Sequence, residues 1–171
     1  MRFPTAKILI FPQGLLIRLR RRHPALAGWG SILTFVLFCG CLNPKLKDEV
    51  CFNNQCLVVE IAFKEGERFK GLQFRKTLQK NYGMLFIFPK PQRYSFWMKD
   101  TLIPLDIVWF DFNRKVVHIE YNVPSCEKDP CPTYYPPLEA LYVLEVNAGV
   151  ANQMRLQNDV QVDFRLNKFL K

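Results

Sequence analysis

From residue 57 onward, apolar positions fall in short runs separated by turn-forming and charged residues, the pattern of a chain made of strands. Leu57-Val-Val-Glu-Ile-Ala-Phe63 is rich in β-branched residues, is bounded by polar turns and reads as the first strand. Residues 65–74 predict a short helix, with Phe69 and Leu72 three apart on one face. Met84-Leu-Phe-Ile-Phe88 is a continuous apolar run stopped by Pro89, which predicts a strand covered on both faces. Residues 94–98 predict a further strand after the Pro89-Lys-Pro91 turn. Residues 103–110 and 115–122 flank Asp111-Phe-Asn-Arg114, whose Asp and Asn suit a hairpin turn. Five prolines between 124 and 137 bar that stretch from a sheet ladder. Strands are expected again at 141–146 and 159–165, with a short helix at 148–154 between them. Seven to eight short strands with two short helices predict a mainly β fold, an antiparallel sandwich or barrel. No long helices alternate with the strands, which argues against a parallel α/β fold.

Upstream of the domain the pattern changes. Arg18, Arg20, Arg21 and Arg22 precede residues 25–40, which carry no charge, as in the basic and apolar regions of an export signal. Basic residues stay on the cytoplasmic side, so the chain beyond residue 42 is expected to face the periplasm or cell exterior. Phe38-Cys39-Gly40-Cys41 resembles a lipidation box, and acylation of Cys41 would supply the membrane anchor. Without that processing, residues 24–42 are about the length of a minimal span and would remain as a signal anchor. The first 17 residues are long for a basic region, as an upstream start codon would make them. The expected organisation is a signal or anchor over 1–42, a short linker and disulfide loop over 43–56, and the β domain over 57–171.

This leader changes the meaning of the charge. Residues 1–41 hold six of the 24 Lys and Arg and none of the 15 acids, so a whole-chain net of +9 falls to +3 for the rest. The basicity belongs to export, and no nucleic-acid partner is expected.

Three stretches together resemble the DUF192 family. They are Gly71-Leu-Gln-Phe-Arg75, then Ser95-Phe-Trp-Met-Lys-Asp-Thr101 with Pro104-Leu-Asp106, then Asn122-Val-Pro124 with Asp129-Pro-Cys-Pro132. Tyr142-Val-Leu-Glu-Val-Asn-Ala-Gly149 fits the closing segment of that family. The resemblance spans roughly 57–165 and implies a small, mostly β, often exported protein with no established activity. Gln73, where the family commonly carries Met, and the Cys51/Cys56 pair depart from it.

Cys51/Cys56 and Cys126/Cys131 form two evenly matched pairs. Outside the cytoplasm they favour disulfides, and of the three possible connectivities the local one is preferred, Cys51–Cys56 and Cys126–Cys131. The competing reading is a four-cysteine zinc site. The polar candidates for a site are Arg75, Trp97, Lys99, Thr101 and Asp106 as ligand-binding residues, with Asp106, Glu120 and Glu145 as carboxylates for acid–base work. The competing reading is a solvated sheet face with a few ion pairs. His118, the sole histidine outside the leader, reads as an ordinary strand residue, so a His-rich metal centre is excluded. No Gly-rich phosphate loop, Gly-x-Ser-x-Gly turn or His-Glu-x-x-His helix occurs. The resulting expectation is an envelope-anchored module binding a small polar ligand or an envelope protein, with no cofactor and no metal. The alternatives are a carboxylate-dependent hydrolase or transferase, and a purely structural lipoprotein.

Overall fold

A computed structural model describes residues 46–167; the segment read as an export signal and Cys41 lie outside them. In chain order the elements are β1 (Glu49–Phe52), β2 (Gln55–Ala62), α1 (Glu65–Lys70), β3 (Tyr82–Gln92), β4 (Phe96–Trp97), β5 (Leu105–Phe110), β6 (Val116–Val123), β7 (Thr133–Tyr134), β8 (Ala140–Asn147), α2 (Val150–Gln153) and β9 (Asp163–Arg165). Seven strands form one sheet in the order β6-β5-β8-β3-β2-β1-β9, and β4 and β7 form a separate two-stranded ribbon.

The sheet is mixed, which corrects the antiparallel expectation, and it is open, without barrel closure. β2 and β3 run parallel, with Glu60 opposite Met84 and Ala62 opposite Phe86, while every other pair in the sheet is antiparallel. A parallel pair needs a crossover, and α1 with the loop to residue 81 supplies it.

Both faces of the sheet are covered. Along β5 all six residues are buried, and they alternate between two cores. Val108 and Phe110 join Leu85, Leu144 and Val146 on one face, closed by Val150, Ala151, Met154, Leu156 and Val162 from α2 and the chain after it. Leu105, Ile107 and Trp109 join Met84, Phe86 and Val143 on the other, closed by Leu72, Met98, Val123 and the half-buried Phe96 and Tyr134. The period-two alternation of a strand sorts neighbouring residues into the two cores.

Several boundaries differ from the sequence reading. β1 lies within the stretch read as linker and disulfide loop, where four residues pair with β2 across the Asn53-Asn54 turn. Both asparagines have positive φ (47° and 62°), conformations Asn tolerates well. Pro89 does not end β3. Prolines 89 and 91 cannot donate to the ladder, so pairing with β8 breaks after Ile87 and resumes at Gln92. The proline-rich stretch does contribute a strand, because Thr133 and Tyr134 lie between its prolines and pair with Trp97 and Phe96. α1 stops at Lys70 because Gly71 turns to φ 47°.

Candidate functional site

The sheet register lines up one row of side chains across the second face. Glu60 on β2 lies opposite Met84 on β3, Met84 opposite Glu145 on β8, Glu145 opposite Ile107 on β5, and Ile107 opposite Glu120 on β6. Directly opposed residues share a face, so three acids stand in this row, each roughly 10 Å of backbone from the next at ordinary strand spacing. Their surroundings separate them. Glu60 is exposed and holds Arg75 by two parallel hydrogen bonds, from Nη1 to Oε1 and from Nη2 to Oε2, each 2.5 Å. Those bonds hold the Glu60 carboxyl below the usual carboxylate range. Glu120 at the other end pairs with His118, whose Nε2 lies 2.9 Å from Oε1.

Glu145 in the middle is 5% exposed. Among the described residues no hydrogen bond or ion pair reaches its carboxyl, whose oxygens keep a small contact with solvent. Burial with no compensating partner pushes it up to about 8, so at neutral pH the side chain is an uncharged acid, at once a donor and an acceptor. It faces a cavity of about 40 Å³, walled by Arg68, Gly71, Leu72 and Gln73 on one side, by Phe96, Trp97 and Thr101 on the other, and by Phe86. Thr101 is 5% exposed and its hydroxyl likewise has no partner among the described residues. Trp97 is 44% exposed and forms the lip. Lys99 Nζ lies 5.9 Å from its ring centroid and bonds the carboxylate of Asp129.

The lip is backbone under constraint. Phe74 and Asp100, with φ of 62° and 55°, both occupy the left-handed region, which a bulky Phe rarely enters. The Phe74 N–H donates to the Asp100 carbonyl at 2.8 Å and ties the two loops together across the mouth. At Gly71 (φ 47°) a side chain would be strained in conformation, and an added Cβ would press on the Phe86 ring at 3.3 Å.

Asp106 lies elsewhere. It shares the other face with Val108 and Phe110, fully buried. Its Oδ1 accepts the Asn122 N–H at 2.8 Å and its Oδ2 the Ala151 N–H at 2.9 Å. It joins β5 to the end of β6 and to the first turn of α2, and the sheet itself separates it from Glu145. Of the sequence-derived candidates, Trp97, Thr101 and Glu145 converge on the cavity, Lys99 lies over the Trp97 ring at its lip, and Arg75 is engaged with Glu60. Glu120 sits two strands away, and Asp106 is on the far side. A larger groove of about 490 Å³ beside α2, lined by Lys80, Asn147 and Gln153, is open surface, and the Asn147 amide there is already bonded to the Leu78 and Gln79 carbonyls.

The cysteines are joined as Cys51–Cys56 and Cys126–Cys131. The sulfurs near Glu49 are therefore bonded to each other and offer no thiolate to a metal, which removes the four-cysteine zinc reading. The second disulfide loop bears on the site. Cys126 exchanges backbone hydrogen bonds with the 98–100 segment, and Asp129 reaches back to Lys99.

The model of the DUF192 family, an uncharacterized ACR, matches residues 49–164. The chain belongs to the DUF192 family. No curated protein matches it. Solved structures share its fold, among them the following two. A protein of unknown function from Novosphingobium aromaticivorans DSM 12444 is 29% identical, with a TM-score of 0.62, over 69% of this chain and 84% of that one. A Sinorhizobium meliloti 1021 protein is 24% identical, also with a TM-score of 0.62, over 69% of this chain and 92% of that one, and speaks for the fold alone.

The DUF192-like stretches of this chain divide by role. Gly71-Leu-Gln, Phe96-Trp97 with Thr101, and Glu145 come from three separate stretches and meet at one cavity. Asp106, Asn122 and Asn147 instead tie segments together. Phe96 and Arg68 were not singled out by sequence reasoning, and Gln73 stood out only as a departure from the family pattern. Membership of the Ser95–Thr101 stretch was the only signal for Phe96. Chemically, the site offers a neutral acid, a hydroxyl and an amide beneath an aromatic lip. That set can grip a polar group, but it holds no second carboxylate beside Glu145 for acid–base work.

Proposed function

We propose that this DUF192 domain is a binding module of the cell envelope, held at the membrane by its N-terminal segment, and that the cavity at Glu145 receives a small polar ligand. The observation that carries the reading is Glu145 itself. A largely buried acid whose carboxyl has no hydrogen-bond partner among the described residues costs stability, and because its oxygens keep a small contact with solvent it makes physical sense as a group whose partner arrives from outside. Thr101, with the same small residual exposure and no partner for its hydroxyl among the described residues, repeats the argument. The two disulfides support an oxidising compartment, in line with the basic and apolar leader.

Binding rather than turnover is favoured because the candidate carboxylates do not converge. Asp106 faces the opposite core, and Glu120 is engaged with His118. The test is ligand-observed NMR of the full-length protein against sugars, amines, carboxylates and peptides, with Glu145→Leu in parallel. Leu fills similar space and removes the donor and acceptor, so the fold persists. Hits on the native protein that weaken tenfold or more in the variant support the cavity, whereas hits indifferent to Glu145→Leu, or none at all, overturn it.

A further inference from the structure

The chemistry of the cavity narrows the ligand, given that the Glu145 cavity is the binding site. Its volume of about 40 Å³ is far below the roughly 300–1,000 Å³ of pockets that enclose a whole small-molecule ligand, so it admits part of a ligand and not a whole molecule. The rest of the ligand must lie outside, where Trp97 presents a half-exposed ring. Three kinds of polar group could enter. An ammonium would meet Arg68 and Lys70, two cations in the wall, with no ionised acid to balance them. A carboxylate would leave water for a floor of Leu72, Phe86 and Phe96, a costly transfer for an ion, and the Lys70 ammonium, exposed in water at the rim, offsets little of it. Arg68 cannot easily turn to meet it, since its guanidinium bonds the Phe63 and Ile87 carbonyls and stacks 5.3 Å from the Phe88 centroid.

A hydroxyl carries no charge to desolvate, and it both donates and accepts, as do the neutral Glu145 acid and the Thr101 hydroxyl. We infer that the ligand is a sugar, whose hydroxyl or hydroxymethyl arm enters the cavity and exchanges hydrogen bonds with Glu145 and Thr101 while its ring lies against Trp97. The Gln73 amide at the wall supplies a further donor and acceptor of the kind a sugar uses. The C–H face of a pyranose and the face of an indole are complementary apolar surfaces, and a lip residue left 44% exposed is placed to use that.

The experiment is isothermal titration calorimetry on the full-length protein in a polyoxyethylene detergent, whose head group carries no sugar. The probes are methyl glycosides of glucose, galactose, mannose and N-acetylglucosamine, each beside its 6-deoxy form, with methylammonium and acetate as separate arms. At least one glycoside should bind and lose tenfold or more in affinity without its 6-hydroxyl, and similarly in Glu145→Leu and Thr101→Val. Glu145→Gln should retain binding within a few-fold, because an amide also donates and accepts, and no proton should be released at pH 7. Binding of methylammonium or acetate that depends on Glu145, with no glycoside bound, would overturn the sugar and leave the cavity as the site. Loss of glycoside binding in Glu145→Gln would also overturn it, since a neutral hydrogen bond does not need the acid. Silence in every arm would overturn both readings.

Discussion

Asp106 and Glu145 are acids on adjacent central strands, almost equally hidden from water, and the fold treats them in opposite ways. Asp106 at 0% exposure receives one backbone N–H on each carboxyl oxygen. Glu145 at 5% exposure receives none. The difference arises from the faces of the sheet. On the Asp106 face, α2 and the chain through Val162 bring backbone donors down onto the core. On the Glu145 face, α1, the β4–β7 ribbon and their loops close over a gap and aim side chains into it. A buried polar group that is satisfied specifies the fold, and one that is not marks where the fold is incomplete without something else.

The largest effect that would break this comparison belongs to Asp106. Asp106→Ala strands the Asn122 and Ala151 N–H groups in a dry core, at about 1–3 kcal/mol for each unsatisfied donor, so about 2–6 kcal/mol together. Urea unfolding of the variant should show that loss, and a change below about 1 kcal/mol would mean that the face is not sealed.

Glu145 should reveal itself through pH, with the opposite sign of effect on removal. Its proton is held up to about 8 in the fold against 4.5 for a free Glu. Below about 4.5 both states carry the proton and the group contributes no slope. Between the two values the unfolded chain releases its proton while the fold keeps it, so stability falls by about 1.4 kcal/mol for each pH unit, or about 2–3 kcal/mol from pH 5 to pH 7. Glu145→Gln should flatten that part of the profile and raise stability at pH 7. A profile unchanged by the substitution would show that the native carboxyl is solvated, and the contrast with Asp106 would lose its basis.

How far this could be read from residues alone divides along the same line. Most strand positions were legible because period-two alternation is a local signal, whereas the proline breaks misled at Pro89 and at Thr133–Tyr134, and the DUF192 resemblance was carried by short stretches. The parallel pairing of β2 and β3 was not, since it depends on where the crossover places two strands 20 residues apart. Nor was β1, a four-residue strand whose only local mark is the Asn53-Asn54 turn that also reads as the tip of a disulfide loop. Glu145 and Asp106 both stand out as acids within apolar strands, but the faces they take follow from register. One residue of offset between β5 and β8 would bring both to one side. That is why a paired-carboxylate site looked available and is absent among the described residues.

The smallest effect on stability, and the sharpest on function, is expected at Trp97. As a core residue it would cost more than about 3 kcal/mol to truncate, and Trp109, fully buried with its Nε1–H on the Tyr94 carbonyl, belongs to that class. Trp97 instead leaves 44% of its surface in water, and its two-residue strand pairs only with Thr133 and Tyr134 through the backbone, which alanine preserves. Trp97→Ala should therefore lower stability by only about 1–2 kcal/mol, read as a small fall in urea midpoint with unchanged slope. The same variant should weaken ligand binding at the Glu145 cavity by tenfold or more, because the ring is the surface against which everything too large for the cavity must rest. A loss near that of Trp109→Ala would place the ring in the core and remove the lip. A small loss with undiminished binding would leave Glu145 and Thr101 as the whole site. Only the combination of a mild structural cost and a severe binding cost fits a face whose core is finished by a partner.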